Sequence, residues 1–126
     1  MTSRRADAMA HATCQHGDFS CATGIRTRYD LGAFLAARGY TAGVELGVQR
    51  GSYSQRVLSG WKGVERYVLV DLWRQQTNYV EAANVDDAAQ EAIFQAAMHT
   101  TRRWRDAVQV CRNLTSACGA VLGRLI

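Results

Sequence analysis

The segment Arg66–Leu72 contains Tyr67-Val68-Leu69-Val70, four apolar residues in a row with no polar alternation. A strand of that kind has no solvent face, so it belongs in a parallel sheet covered by helices on both sides. Parallel neighbours need a crossover between them, normally a helix, and the flanking sequence supplies one on each side. Asp30 precedes Leu31–Arg38, where Leu31, Phe34 and Leu35 share one helical face and Gly39 gives the stop. Thr41–Leu46 then reads as a short strand ending at Gly47. Ser52–Leu58 follows as a helix, with Ser52 and Gln55 spaced as a capping box. Gly60 and Gly63 break the chain around Trp61. Beyond the apolar strand comes a polar stretch from Trp73 to Val85. A helix from about Asp87 to Thr101 is next, carrying Ala88, Ala92, Phe94, Ala97 and Met98. Ala107–Cys111 forms a third strand, and Leu114 begins another helix. The order α, β, α, β, α, β, α predicts an α/β fold, a Rossmann-like parallel sheet with flanking helices.

Length and charge narrow the class. A chain of 126 residues makes one domain, here residues 26–126, behind a polar segment 1–25 that reads as disordered or weakly transit-like. Its longest uncharged stretch, Asn113–Gly123, is 11 residues against the ~20 that a membrane helix needs, so no membrane association is expected. No apolar signal core opens the chain, and a cytoplasmic location is expected, with organelle targeting left open. The net charge of +4 comes largely from Arg4, Arg5, Arg26 and Arg28. Lys62 is the single lysine against 14 arginines, but those arginines are scattered among acids and form no basic helix face. Nucleic acid is therefore the less favoured partner and a small-molecule substrate the more favoured.

The four cysteines, at 14, 21, 111 and 118, lack the C-x2–4-C spacing of a zinc site. His11, Cys14, His16 and Cys21 lie close enough in sequence to surround a metal, but the plainer reading is free thiols in a reducing compartment, with Cys111 and Cys118 serving as small apolar core residues. No metal site is expected. His99 reads as a surface residue of its helix, and Trp61 and Trp104 as residues packed on the sheet. Asn78 and Tyr79 read as solvated loop.

In parallel α/β sheets ligands bind beyond the carboxyl ends of the strands, so the residues there carry the most information. The first strand ends Glu45-Leu46-Gly47-Val48-Gln49-Arg50-Gly51-Ser52, a glycine-containing turn into a helix. The second ends at Asp71, where a carboxylate can accept from the two cis-hydroxyls of a ribose. The turn has neither the G-x-G-x-x-G that holds a pyrophosphate on a helix N-terminus nor the G-K-[ST] of a P-loop. A ligand with ribose and adenine but no phosphate suits it better, and Glu45, an acid at the mouth, suits an ammonium or sulfonium.

These residues, with Val68-Leu69-Val70-Asp71-Leu72-Trp73, resemble the class I S-adenosylmethionine-dependent methyltransferases over about residues 40–118. The resemblance implies that Gly47 and Gly51, with Leu46 and Val48, form the loop under the methionine part of the cofactor and that Glu45 orients its amino group. It implies further that Asp71 holds the ribose, that Leu72 and Trp73 lie against the adenine, and that Asn113 meets the adenine edge. It nominates no catalytic residue, because methyl transfer from a sulfonium relies chiefly on binding and orientation. The family continues to further strands, so the chain is expected to be its cofactor-binding half. On that reading it is inactive or weak alone, exposes an unfinished sheet through which copies self-associate, and leaves Val121, Leu122, Leu125 and Ile126 without sheet to pack on. Two alternatives stay open: a nicotinamide-dependent oxidoreductase fragment, and a non-catalytic interaction or RNA-binding module.

Overall fold

Strands and helices alternate through the chain as the apolar pattern requires. The computed structural model describes Gln15, Gly17 and residues 19–125. The strands are β1 (Ala42–Leu46), β2 (Arg66–Asp71) and β3 (Val108–Arg112). The helices are α1 (Phe19–Thr23), α2 (Leu31–Ala37), α3 (Ser52–Gly60), α4 (Asp87–Thr100) and α5 (Thr115–Leu125), with single 3-10 turns at Arg28–Asp30 and Arg102–Trp104. All strands are parallel in the order β1-β2-β3, which is a Rossmann-like α/β arrangement. Leu46 pairs with Val70, and Asp71 with Arg112, so the three strands end side by side. Among the described residues no helix is long and apolar enough to cross a membrane.

The two faces of β2 are buried by different helices. Tyr67 and Leu69 face Val57, Leu58, Trp61, Trp73 and Ala97, with α2 and α4 packed around them. Each fully buried aliphatic side chain here contributes about 1.5–3 kcal/mol. Val68 and Val70 face Cys118, with Cys111 and Leu122 alongside. The first face thus carries most of the core. Trp61 lies edge-on to Tyr67, with ring centroids 5.6 Å apart, and Trp104 packs on the same cluster. Leu122 finds a place against β2, contrary to the expectation that it would lack sheet to lean on; the side chain of Leu125 and all of Ile126 lie outside the described residues.

Two close approaches fix the helix arrangement. A Cβ added at Gly32 would sit 2.1 Å from the Val57 carbonyl oxygen, and one at Gly60 would sit 3.1 Å from the Ala33 nitrogen. Helices α2 and α3 therefore cross backbone to backbone at their glycines. Helix α2 ends as expected, with Gly39 at φ +72° and Tyr40 N–H donating to Leu35 O.

Three local expectations are corrected. Ser52 and Gln55 form no capping box: the N-cap of α3 is Gly51, in the left-handed conformation, and no side chain caps the helix. Asp30 caps no turn of α2; its Oδ2 instead accepts from the N–H groups of Thr27 and Arg26, which hold its carboxyl below the usual range. The described cysteines are not free thiols either, and Cys14 lies outside the described residues. Cys111, at the end of β3, and Cys118, in the first turns of α5, have Cα atoms 5.9 Å apart and form a disulfide, and Cys21 is also disulfide-bonded. The strand-to-helix turn brings two residues seven apart within the span such a bond needs.

Candidate functional site

The carboxyl ends of β1 and β2 are joined by one side chain. After Leu46 the chain turns at Gly47 (φ +79°), whose N–H donates to Val70 O. Val48 and Gln49 then direct their backbone N–H groups at Asp71, and both donate to Oδ2 at 2.8 Å. Gln49 is itself left-handed (φ +52°), a conformation costly outside glycine that this clasp holds in place. Gly51 closes the turn, its N–H donating to Val48 O. It also lies against α4, where a Cβ would come within 3.3 Å of Ala97 Cα. Space and conformation both require glycine there.

Asp71 keeps acceptor capacity beyond this clasp. Its Oδ1 takes a single long contact, 3.4 Å, from Trp73 N–H. It lines a cavity of about 570 Å³ with Gly47, Gln49, Arg50, Leu72 and Trp73, closed on the far side by the loop after β2 and by Gln90 and Ile93 of α4. Volumes of about 300–1,000 Å³ are typical of small-molecule sites. The loop is ordered by Asn84, whose Oδ1 accepts from Gln76 N–H and whose Nδ2 donates to the carbonyls of Gln76 and Tyr79. Gln90 Nε2 donates to Ala83 O and ties the same loop to α4.

A smaller cavity of about 320 Å³ adjoins the first through Leu72, Trp73 and Arg74, and reaches Asn113. Arg112 spans its wall, donating to Trp73 O, stacking over Phe94 and pairing with Glu91. That pairing, with a bond from Gln95, holds the Glu91 carboxyl below its usual range. Both partners are partly exposed, so solvent screens the ion pair and it adds little to stability.

The residues singled out from sequence fall into two groups. Gly47, Asp71, Leu72, Trp73 and Asn113 line these cavities. Trp73 does so while only 2% exposed: its backbone is left-handed (φ +44°), its ring packs edge-on against Phe94, and its Nε1 donates to Gln49 O. Leu72 is the more open apolar neighbour. Asn113 Oδ1 accepts from Leu114 N–H at the start of α5. The others lie elsewhere. Leu46 is 58% exposed on the α5 side of the sheet, Val48 is in the core apart from its N–H, and Gly51 faces α4.

Glu45 is beneath the loop, not at its mouth. It is 7% exposed, and its Oε2 accepts from Tyr67 Oη at 2.7 Å, with the buried Ser54 hydroxyl beside the carboxyl. Burial pushes the Glu45 carboxyl above its usual range, and burial together with Glu45 pushes the Tyr67 hydroxyl up. A carboxyl so placed holds a proton more readily than a surface one.

Sequence reasoning missed Gln49, Arg50, Arg74, Asn84 and Gln90. The only local signal was the polar segment before Asp86, whose side chain caps α4 by accepting from Ala89 N–H. His99 is exposed and takes a bond from Arg102, as a surface histidine does. Among the described residues no cluster of His, Cys, Asp and Glu is arranged to hold a metal; His11, Cys14 and His16 lie outside the described residues. Compared with models of known families, with curated proteins and with solved structures, the chain finds no match.

Proposed function

We propose that the chain binds S-adenosylmethionine beyond the ends of β1 and β2 and serves methyl transfer to a small-molecule acceptor. One observation carries this reading: Asp71, at the end of β2, spends one carboxylate oxygen on the loop after β1 and lines the neighbouring cavity with its second oxygen only lightly engaged. A vicinal diol is a natural donor to such an oxygen. Gly47 supports the fit, since nothing lies within 4 Å of the space a Cβ would take there and a ligand can approach the backbone.

The clasp also discriminates between cofactors. In dinucleotide sites the amides after β1 cradle a pyrophosphate. Here the Val48 and Gln49 amides already serve Asp71, and a carboxylate stands where phosphate oxygens would need donors. That favours a phosphate-free adenosine ligand over a nicotinamide dinucleotide.

When bound, S-adenosylmethionine supplies an electrophilic methyl group, so the protein need only bind, orient and exclude water. Asp71 would hold the ribose, Leu72 would give apolar contact to the base, and Tyr79 and Asn84, on the cavity wall, would limit access of water. Isothermal titration tests the reading. S-adenosylhomocysteine is expected to bind and NAD is not; the reverse preference, or binding of neither, overturns it.

A further inference from the structure

On the other side of the Gly47–Arg50 turn lies a separate cleft of about 430 Å³, whose wall includes Arg28, Tyr29, Arg50, Ser52, Tyr53 and Arg56. Among the described residues three guanidinium groups line it and no carboxylate does. Two of them are seated on aromatic rings: the Arg28 guanidinium carbon is 3.9 Å from the Tyr53 ring centroid, and that of Arg56 is 5.0 Å from the Tyr29 centroid. Stacking occupies the face of a guanidinium and leaves its in-plane N–H donors for a ligand.

The nearby acids are committed elsewhere. Asp30 accepts from Thr27 and Arg26 N–H, Glu45 is buried under the loop though within electrostatic reach of Arg28, and Asp71 clasps that loop from the opposite side. Among the described residues none of the three arginines makes an ion pair, whereas Arg112 does. The cleft wall is braced by Tyr53 Oη, which donates to Arg28 O and ties the Arg28–Asp30 turn to α3. Helix α3 starts at this wall with no capping side chain and no acid in its first turn, which adds to the positive potential the arginines create.

We propose that this cleft is an oxyanion site for a carboxylate or phosphate group on a small molecule. Its volume suits one such group with its immediate frame rather than a polymer backbone. Assigning the group to the reaction rests on the methyl-transfer reading, since it would belong either to the acceptor or to the amino-acid end of the cofactor; anion binding itself does not rest on it.

The test is an NMR titration of the isotope-labelled full chain with inorganic phosphate, with chloride adjusted to hold ionic strength constant. Saturable shifts are expected at the Arg28 and Arg56 side-chain Nε–H groups and at the Ser52 and Tyr53 amides. Arg28→Gln and Arg56→Gln are each expected to weaken phosphate about tenfold, the order of a charge-assisted hydrogen bond, while Lys62→Gln leaves it unchanged. These side chains are exposed, so the variants are expected to keep the wild-type spectrum elsewhere. A second titration with saturating S-adenosylhomocysteine separates the sources: competition assigns the oxyanion to the cofactor, simultaneous binding to the acceptor, and both support the site. Non-saturating shifts, an equal loss in Lys62→Gln, or tight oligonucleotide binding without phosphate saturation overturns it. If phosphate saturates while S-adenosylhomocysteine does not bind, the cofactor reading falls and the cleft stands; the reverse outcome removes the cleft alone.

Discussion

Asp71→Ala removes the acceptor that the turn after β1 is built around, and the cost can be worked from its partners. Oδ2 takes the Val48 and Gln49 N–H groups at 2.8 Å, both charge-assisted. Val48 N–H is part-buried, so orphaning it costs about 1–3 kcal/mol, whereas Gln49 is exposed and its N–H recovers a bond to water at a loss of about 0.5–1 kcal/mol. The sum is a destabilisation of about 1.5–4 kcal/mol, or about 6–25 °C in Tm for a domain of this size. Asp71→Asn keeps an oxygen in place and loses only the charge, so about 1 kcal/mol is expected. Urea denaturation followed by circular dichroism reads both values. The reasoning is refuted if Ala lies within about 0.5 kcal/mol of wild type, or if Asn is as damaging as Ala. Because Asn preserves the fold, it also isolates the ligand: its amide cannot accept from both ribose hydroxyls, and affinity for S-adenosylhomocysteine should fall about tenfold.

Two further predictions concern buried groups. Burial raises the Glu45 carboxyl above its unfolded value, so the folded chain binds that proton more tightly than the unfolded one. Stability from this group is therefore complete below about pH 4.5 and is lost as pH rises through the raised value. Glu45→Gln should gain on wild type as pH rises from 4 to 8 in urea titrations; parallel curves would dismiss the idea. The Cys111–Cys118 disulfide closes a ring spanning seven residues of sequence, for which chain entropy gives about 2 kcal/mol. A Cys111→Ala, Cys118→Ala double variant, which leaves the Cys21 disulfide intact, should melt roughly 8–15 °C lower. A Tm unchanged on calorimetry would mean that the bond constrains nothing.

The fold was legible where hydropathy period decides structure, and the site only where a strand end decides position. Tyr67-Val68-Leu69-Val70 announced a strand buried on both sides, and its end placed Asp71 beside Gly47 without any knowledge of contacts. β1 was harder to read because its apolar parity is inverted. Val44 and Leu46 are the exposed pair, at 37% and 58%, while Gly43 and Glu45 face the larger core. Trp61 explains this: its ring lies where a Gly43 side chain would stand, with Cη2 2.9 Å from the position of a Cβ. Burying that ring outweighs burying Val44, and Glu45 goes inward with the glycine. Trp73 misleads in the same way, since an aromatic residue after an acidic strand end reads as a ligand contact until its left-handed backbone turns the ring onto Phe94.

The Asp71 clasp was invisible in sequence because a side-chain-to-backbone bond over 23 residues leaves no periodicity, yet the proposed function depends on it most. One carboxylate has two oxygens in different settings: Oδ2 holds the β1 loop, and Oδ1, only lightly engaged, is the one the proposed ligand would meet. A diol that donates to Oδ1 adds to a carboxylate already held by two N–H groups, so binding adds no new strain to the loop. A phosphate in the same place meets that negative charge and must strip both amides from it before gaining a donor, at the cost just worked for Asp71→Ala. The proposed preference for adenosine without phosphate would follow from how the loop is held, and it should weaken in parallel with loop stability as Asp71 is changed to Asn and then to Ala.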